Sequence, residues 1–227
     1  MQEGVFRVMT GKINAAPETT ANTIARAVAE GLLDIGAVFF RPEEPFTWAS
    51  GIKSPVYCDN RLILTAPEVR STVENAIAET VKREFPEAKA LFGTSTAGIA
   101  HAAIAGHIMG IPMGYVRSSS KDHGRNNQIE GRLEKGQKVV VIEDLISTAG
   151  SVVQVVEVLR EAGAEVLGIV SIFTYGMEKG KRRLADAGVR NISLSNFDTA
   201  VEIAYSKGTI DENGVSELKK FIEENGR

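Results

Sequence analysis

With 227 residues, of which 43% are hydrophobic and 24% charged, the chain has the composition of one compact domain, alone or with a small appendage, which excludes a disordered or collagen-like polymer. A formal net charge of −3 gives no general pull toward nucleic acid or anionic membrane, so any phosphate must be bound at a local site. The single cysteine, Cys58, excludes an internal disulfide and a multi-thiolate zinc centre and fits a reducing, cytoplasmic compartment.

Residues 1–20 lack the apolar core of about 7 to 15 residues that marks a signal peptide, and read as a lead-in. No apolar run approaches the roughly 18 residues that span a bilayer. Ile24, Val28 and Leu32, with Ala27 and Leu33, share one helical stripe, and Gly31 and Gly36 on either side of Asp34 end that helix near residue 35. Between 37 and 60 the character changes: Phe39, Phe40, Pro42, Pro45, Trp48 and Ser50-Gly51 predict short strands and bends, a small excursion ahead of the main sheet. After Pro67, the four-residue recurrence of Val69, Val73, Ile77 and Val81 predicts an amphipathic helix ending near Phe85-Pro86.

From residue 88 the pattern is regular. Apolar runs at 88–92, 111–116, 138–142 and 166–174 alternate with helical segments at 98–109 and 151–162. Such alternation predicts repeated βαβ units, hence an α/β domain with a mainly parallel twisted sheet and helices on both faces. Ligands of such sheets gather beyond the carboxyl ends of the strands. The tail adds an expected strand at 191–194 and helices near 198–207 and 214–224.

The strongest chemical signal is the stretch from Val139 to Ser151: a buried apolar strand, the acids Glu143 and Asp144, and then a small, hydroxyl-rich turn opening a helix. Such a turn offers unpaired backbone N–H groups, and Ser147, Thr148 and Ser151 add hydroxyl donors, so a phosphate monoester is held with few cationic side chains. Two carboxylates at the strand end reach sugar hydroxyls or a magnesium ion carried by the same ligand; the bland alternative is that they only cap the helix. No Gly-Lys-Ser/Thr of a Walker loop follows, and no Gly-x-Gly-x-x-Gly dinucleotide turn is present. Gly93 to Ile99 forms a second strand-to-helix turn of small residues that lets backbone N–H groups approach another anion, or is simply a tight turn.

Residues 117–137 hold Arg117, Lys121, His123, Arg125, Arg132 and Lys135, with Lys138 following and no apolar residue between Val116 and Ile129. A stretch so polar cannot offset its own ordering by burial, and beside a phosphate cradle it reads as a basic lid rather than a solvated loop. His101 and His107 lie in an Ala-rich helical segment without metal-ligand spacing and read as structural, and Cys58 has no histidine partner nearby and reads as inert.

The Val139–Ser151 stretch resembles the phosphoribosyl diphosphate (PRPP) signature of the type I phosphoribosyltransferases. Three further stretches narrow the resemblance to the orotate phosphoribosyltransferase family: Phe46 to Arg61, Gly93 to Ala100, and Tyr115-Val116-Arg117 through Lys121-Asp122-His123-Gly124 to Ile129-Glu130-Gly131. The resemblance implies the type I fold with a small N-terminal hood (about 21–62, with C-terminal elements) on a core of about 63–195. It implies transfer of the phosphoribosyl group from PRPP to orotate with Mg²⁺, held mainly by PRPP, in a homodimer whose lid is shared between subunits, with no nucleic-acid or membrane partner.

Residue by residue, it places Glu143 and Asp144 on the ribose, and Leu145, Ile146, Ser147, Thr148, Ala149, Gly150 and Ser151 around the 5′-phosphate. Thr96 and Ala97 meet the diphosphate, and Arg117, Lys121 and His123 meet the departing group; the catalytic set is then Lys121, His123, Arg117 and Asp144. Lys53, Tyr57, Cys58 and Ser147 face orotate. The chain departs from many relatives in having Ser118 after Arg117, Ala49 ahead of Ser50-Gly51, Ala97 in the diphosphate turn, and no arginine in Thr174-Tyr175-Gly176, where some relatives meet the orotate carboxylate. The alternatives left open are a transferase for another base, and a PRPP-sensing regulator; the latter usually needs a nucleic-acid surface that neither the charge nor the N-terminal segment offers.

Overall fold

The structure, a computed structural model, describes residues 20–41, 43–47, 53–118 and 128–225. The lead-in at 1–19, Trp48 to Ile52, and Lys121, His123 and Arg125 fall outside those residues.

Six strands form the central sheet: β5 (Ala90–Thr94), β6 (Met113–Val116), β7 (Ile129–Glu130), β8 (Lys138–Ile146), β9 (Glu165–Thr174) and β10 (Asn191–Asn196). Their order is β10-β9-β8-β5-β6-β7, parallel except for the edge strand β7, which is antiparallel to β6. The run Val139-Val140-Val141-Ile142 explains the position of β8: successive side chains point to opposite faces, and all four are buried, so both faces of this strand must be covered. Val140 and Ile142 pack with α1 (Thr20–Asp34), α2 (Pro67–Glu84), α3 (Ala97–Met109) and α6 (Phe197–Ser206), whereas Val139 and Val141 pack with α4 (Gly150–Glu161). At about 25 cal/mol per Å² of apolar area, this two-sided burial is the main term stabilising the sheet.

Four short strands precede the sheet: β1 (Val38–Phe40) pairs with β4 (Val56–Cys58), and β2 (Phe46–Thr47) with β3 (Lys53–Ser54), all antiparallel. Phe39, Phe46 and Tyr57 form one aromatic cluster with ring centroids 5.0 to 5.5 Å apart, and the Arg41 guanidinium lies 5.0 Å from the Phe46 ring centre. A 3₁₀ helix (Asn60–Thr65) leads from this hood into α2, and α7 (Glu212–Asn225) closes the described chain.

The structure corrects four expectations. The helix α1 ends at Asp34, as expected near residue 35, but Gly31 lies inside it rather than at its end, where α1 packs on α2 and a Cβ would lie 3.0 Å from Val69 Cγ1. Gly36, at φ +69°, follows the helix end, where its N–H donates to the Leu33 carbonyl. The strand expected at 138–142 runs to Ile146, since β9 keeps pairing with it as far as Ile146↔Thr174. Residues 128–137 are not all lid: Ile129–Glu130 pairs back onto Tyr115 and Val116, and the Lys138 ammonium bonds Glu87 at 2.6 Å on the opposite side of the strand start.

Finally, α5 (Glu178–Asp186) was not expected: it is short and strongly polar, its apolar residues Leu184 and Ala185 coming only at its end. His101 is structural as read: it is fully buried, its Nδ1 2.6 Å from Glu74 Oε1 on α2, and burial pushes the Glu74 carboxyl above its ordinary range. Among the described residues no helix is long and apolar enough to cross a membrane.

Candidate functional site

The site lies where β5 stops and β8 does not. The last β5–β8 pair is Gly93↔Ile142; β8 continues through Glu143, Asp144 and Leu145 to Ile146 with only β9 beside it. The acids therefore stand within a strand rather than after it. The helix-cap alternative for them is excluded: the residue capping α4 is Ala149, at φ +59° in the left-handed region, without a side-chain cap.

Glu143 is 4% exposed and its Oε1 accepts two hydrogen bonds, from Thr94 Oγ1 at 2.6 Å and from the Asp144 N–H at 2.9 Å. Burial first, then the adjacent Asp144, pushes its carboxyl up to about 8. Asp144 is half-buried, and its carbonyl accepts from Asn60 Nδ2 at 2.6 Å. The two acids are thus unequal: Glu143 is buried with Oε1 on Thr94 at the base of the β5–α3 turn, and Asp144, whose carboxyl it contacts, is half-buried.

The first anion turn is held by backbone approach. A Cβ on Gly93 would lie 2.7 Å from the Gly98 carbonyl oxygen, and one on Gly98 would lie 2.5 Å from the Ile142 carbonyl oxygen and 2.6 Å from Thr94 Oγ1. The Ser95–Thr96 peptide is cis; Ser95 Oγ donates to the Val116 carbonyl at 2.6 Å, while Thr96 is exposed and Ala97 half-buried at the start of α3. This turn therefore touches both Glu143 and the residue just before Arg117. Arg117 is half-buried, with its Nη1 3.4 Å from Glu130 Oε1, and its N–H bonds the Gln128 carbonyl across the stem of the lid.

The second anion turn, Ser147 to Ala149, opens α4. Ser147 and Thr148 are half-buried and Ser151 is exposed, so all three hydroxyls lie on accessible residues; Leu145 packs on the core and Ile146 is buried beneath the turn. The unforeseen α5 props it from outside. A Cβ on Gly180 would lie 2.5 Å from the Ser147 carbonyl oxygen, and Arg183 Nη1 donates to the Thr148 carbonyl at 2.9 Å, close enough to Gly150 that a Cβ there would stand 2.7 Å away. With the carbonyls turned toward α5 and Arg183, the N–H groups of the turn and of the first turn of α4 remain for an anion.

Of the residues expected over the base, Lys53 is exposed, Tyr57 is half-buried in the hood's aromatic cluster, and Cys58 directs Sγ to Asn60 Oδ1 at 3.4 Å. Burial, then the charges of Asp144 and Asp59, push the Cys58 thiol well above its ordinary range, which leaves it an unreactive thiol. Tyr175 is buried where β9 ends, its ring 5.8 Å from Phe173, and burial pushes its hydroxyl upward too. Asn60, Gly180 and Arg183 were not foreseen. Asn60 had a signal, standing directly after the hood in the stretch that carries the resemblance; the other two belong to a short, strongly polar helix.

Among the described residues no group of three or more His, Cys, Asp or Glu side chains could cage a metal ion. The oxygen-rich pair Glu143 and Asp144 is of the kind that suits a hard cation such as Mg²⁺, with Glu143 Oε1 already accepting from Thr94 and a backbone N–H. Among the described residues a groove of about 560 Å³ between Phe40–Arg41 and the start of α7 is lined by Glu43, Glu44, Asp211 and Glu217 and shares no residue with this site.

Residues 61–205 match the phosphoribosyl transferase domain family. An orotate phosphoribosyltransferase of Bacillus cytotoxicus is 56% identical over 198 residues, 87% of this chain and 93% of the relative, and one of Listeria innocua is 54% identical over 199 residues, 88% and 95% of the two chains. Among solved structures, orotate phosphoribosyltransferase from Aeropyrum pernix superposes with a TM-score of 0.70 at 31% identity, covering 81% of this chain and 99% of that one. Leishmania donovani UMP synthase superposes with a TM-score of 0.75 at 27% identity, covering 88% of this chain and 42% of that one.

Proposed function

The chain belongs to the orotate phosphoribosyltransferases of the phosphoribosyl transferase family, and we propose that Asp144, the two anion turns and the hood are the parts with which it works. It transfers the 5-phosphoribosyl group from PRPP to orotate, giving orotidine 5′-phosphate and diphosphate, a step of pyrimidine biosynthesis. The observation that carries the assignment of parts is the half-buried Asp144, three residues before the turn that opens α4 and tied by its carbonyl to Asn60 at the edge of the hood.

The orotate ring nitrogen attacks the anomeric carbon as the bond from that carbon to diphosphate breaks; the electron pair leaves on the diphosphate oxygen, and the ring N–H proton is lost to solvent or to the departing diphosphate. The passing oxocarbenium-like state needs the ribose held still and the departing charge met. Ser147 to Ser151 hold the 5′-phosphate through N–H and hydroxyl donors. Asp144 accepts from the ribose hydroxyls, Thr96 and Ala97 present N–H groups to the diphosphate, and Arg117 with Lys121 and His123 meet the growing charge. Lys53, Tyr57, Cys58 and Ser147 border the base. Mg²⁺ bound to PRPP neutralises part of the diphosphate charge. Glu143, beside Asp144 and with Oε1 held by Thr94, joins it in positioning the ribose.

The lid cations serve a neighbouring subunit in a homodimer, and the protein works in the cytoplasm, a placement that its single, half-buried free thiol supports. Orotate loss followed by ultraviolet absorbance, with and without PRPP and Mg²⁺, tests the whole reading; turnover without metal, or of hypoxanthine in place of orotate, overturns it. The shared lid is tested by mixing Lys121→Ala and Asp144→Asn chains. Recovery above either parent is expected, and its absence between subunits proven to exchange refutes the sharing.

A further inference from the structure

A strand that has lost one neighbour leaves peptide groups that water normally satisfies. At Asp144 both are instead taken by side chains. Its N–H donates to Glu143 Oε1 at 2.9 Å, and the same oxygen accepts from Thr94 Oγ1 at the base of the diphosphate turn at 2.6 Å. Its carbonyl accepts from Asn60 Nδ2 at 2.6 Å, and Asn60 Oδ1 in turn receives Cys58 Sγ, from the last residue of β4, at 3.4 Å. Asn60 is 1% exposed and opens the 3₁₀ helix that carries the chain out of the hood, 84 residues before its partner.

A buried amide is costly unless both of its ends are bonded, and an apolar side chain would fill the same space without that risk. What the amide supplies is direction: one donor aimed at one carbonyl. We propose that Asn60 is a positioning residue for the transfer, acting through the backbone of Asp144 so that the carboxylate meets the ribose in register with the hood over the base. The base subsite and the ribose acid are then parts of one hydrogen-bonded unit, with Thr94 and Glu143 holding its other end. This rests on the assignment of Asp144 to the ribose. It makes Asn60 matter to turnover more than to ground-state binding, since a displacement of the acid by about 1 Å weakens contacts that tighten at the transition state.

The test is a double-mutant cycle. Asn60→Asp keeps the size and loses the donor; Asn60→Ser keeps a donor that falls short of the carbonyl, and serves where the aspartate variant does not fold. Each is made alone and together with Asp144→Asn, and kcat, KM for PRPP and thermal midpoint are measured. The single Asn60 variants are expected to lower kcat about tenfold or more while KM for PRPP moves less than about threefold. Once the Asp144 carboxylate is gone, the same change should cost less than about twofold further. Losses that multiply in the double variant, or a folded Asn60→Asp protein with parental kcat, overturn the proposal. Asp144→Asn with parental kcat is a different failure, since it removes the ribose assignment itself.

Discussion

The two anion turns are built from the same local material, a strand followed by small residues and a helix, yet they are held in opposite ways. The turn between β5 and α3 is wedged among the central strands: Gly93 meets the Gly98 backbone, and Gly98 meets the Ile142 carbonyl of β8. The turn between β8 and α4 is propped from outside the sheet, by Gly180 and Arg183 of a helix that follows the next strand. A turn wedged between paired strands has no way to relax around an added atom, whereas one leaning on a surface helix can shift with it. The first should therefore fail as a fold, and the second as a binding site.

The largest expected effect is that of Gly98→Ala. Its new methyl meets the Ile142 carbonyl and the Thr94 hydroxyl, groups of two packed strands. A destabilisation of about 3 kcal/mol or more is expected, read as a fall in the thermal midpoint of roughly 6 to 12 °C. A shift within about 1 °C would show that the first turn is not locked. Gly180→Ala places its methyl against the Ser147 carbonyl, but α5 can move away. KM for PRPP should rise about tenfold with kcat and thermal midpoint little changed, the signature of weakened uniform binding; a large stability loss instead would make the two turns alike.

Arg183→Met removes one hydrogen bond to the Thr148 carbonyl while keeping much of the stem. At about 1 kcal/mol, PRPP binding measured by calorimetry should weaken roughly fivefold. The smallest effect concerns Glu143. Its carboxyl titrates near 8 in the folded chain against 4.5 ordinarily, so between those values the folded state keeps a proton that the unfolded chain has lost. The stabilisation linked to that proton is complete below pH 4.5 and is lost as pH rises through about 8. In the ligand-free protein, Glu143→Gln should flatten the fall in thermal midpoint between about pH 5 and pH 8. Parallel curves for parent and variant would show that the buried acid is ionised throughout.

Most of the architecture was legible in the sequence, because its elements carry their own signals. Val139 to Ile142 can only be a strand buried on both faces, Pro67 opens a helix whose apolar residues recur every fourth position, and Val139 to Ser151 joins strand, acids and small-residue turn without a gap. The kind of ligand was legible for the same reason: a phosphate turn is local chemistry, fixed by which residues can leave backbone N–H groups free. The end of β8 was not, because strand length depends on whether β9 continues alongside, and a partner 28 residues away leaves no mark on the residues themselves.

The roles of the two acids were equally indistinguishable in sequence. Glu143 and Asp144 are neighbours of nearly the same chemistry with their carboxyls in contact, yet one is buried on Thr94 and the other is half-buried. Only the packing of β5 beside β8 decides which. The helix α5 shows the limit most plainly: it is held by a glycine against a carbonyl and an arginine on a turn, contacts that need no hydrophobic period. What a residue can do chemically is written in its type and its neighbours; which surface it meets is decided when distant strands come together, and that is set by the burial of the whole sheet rather than by any one segment.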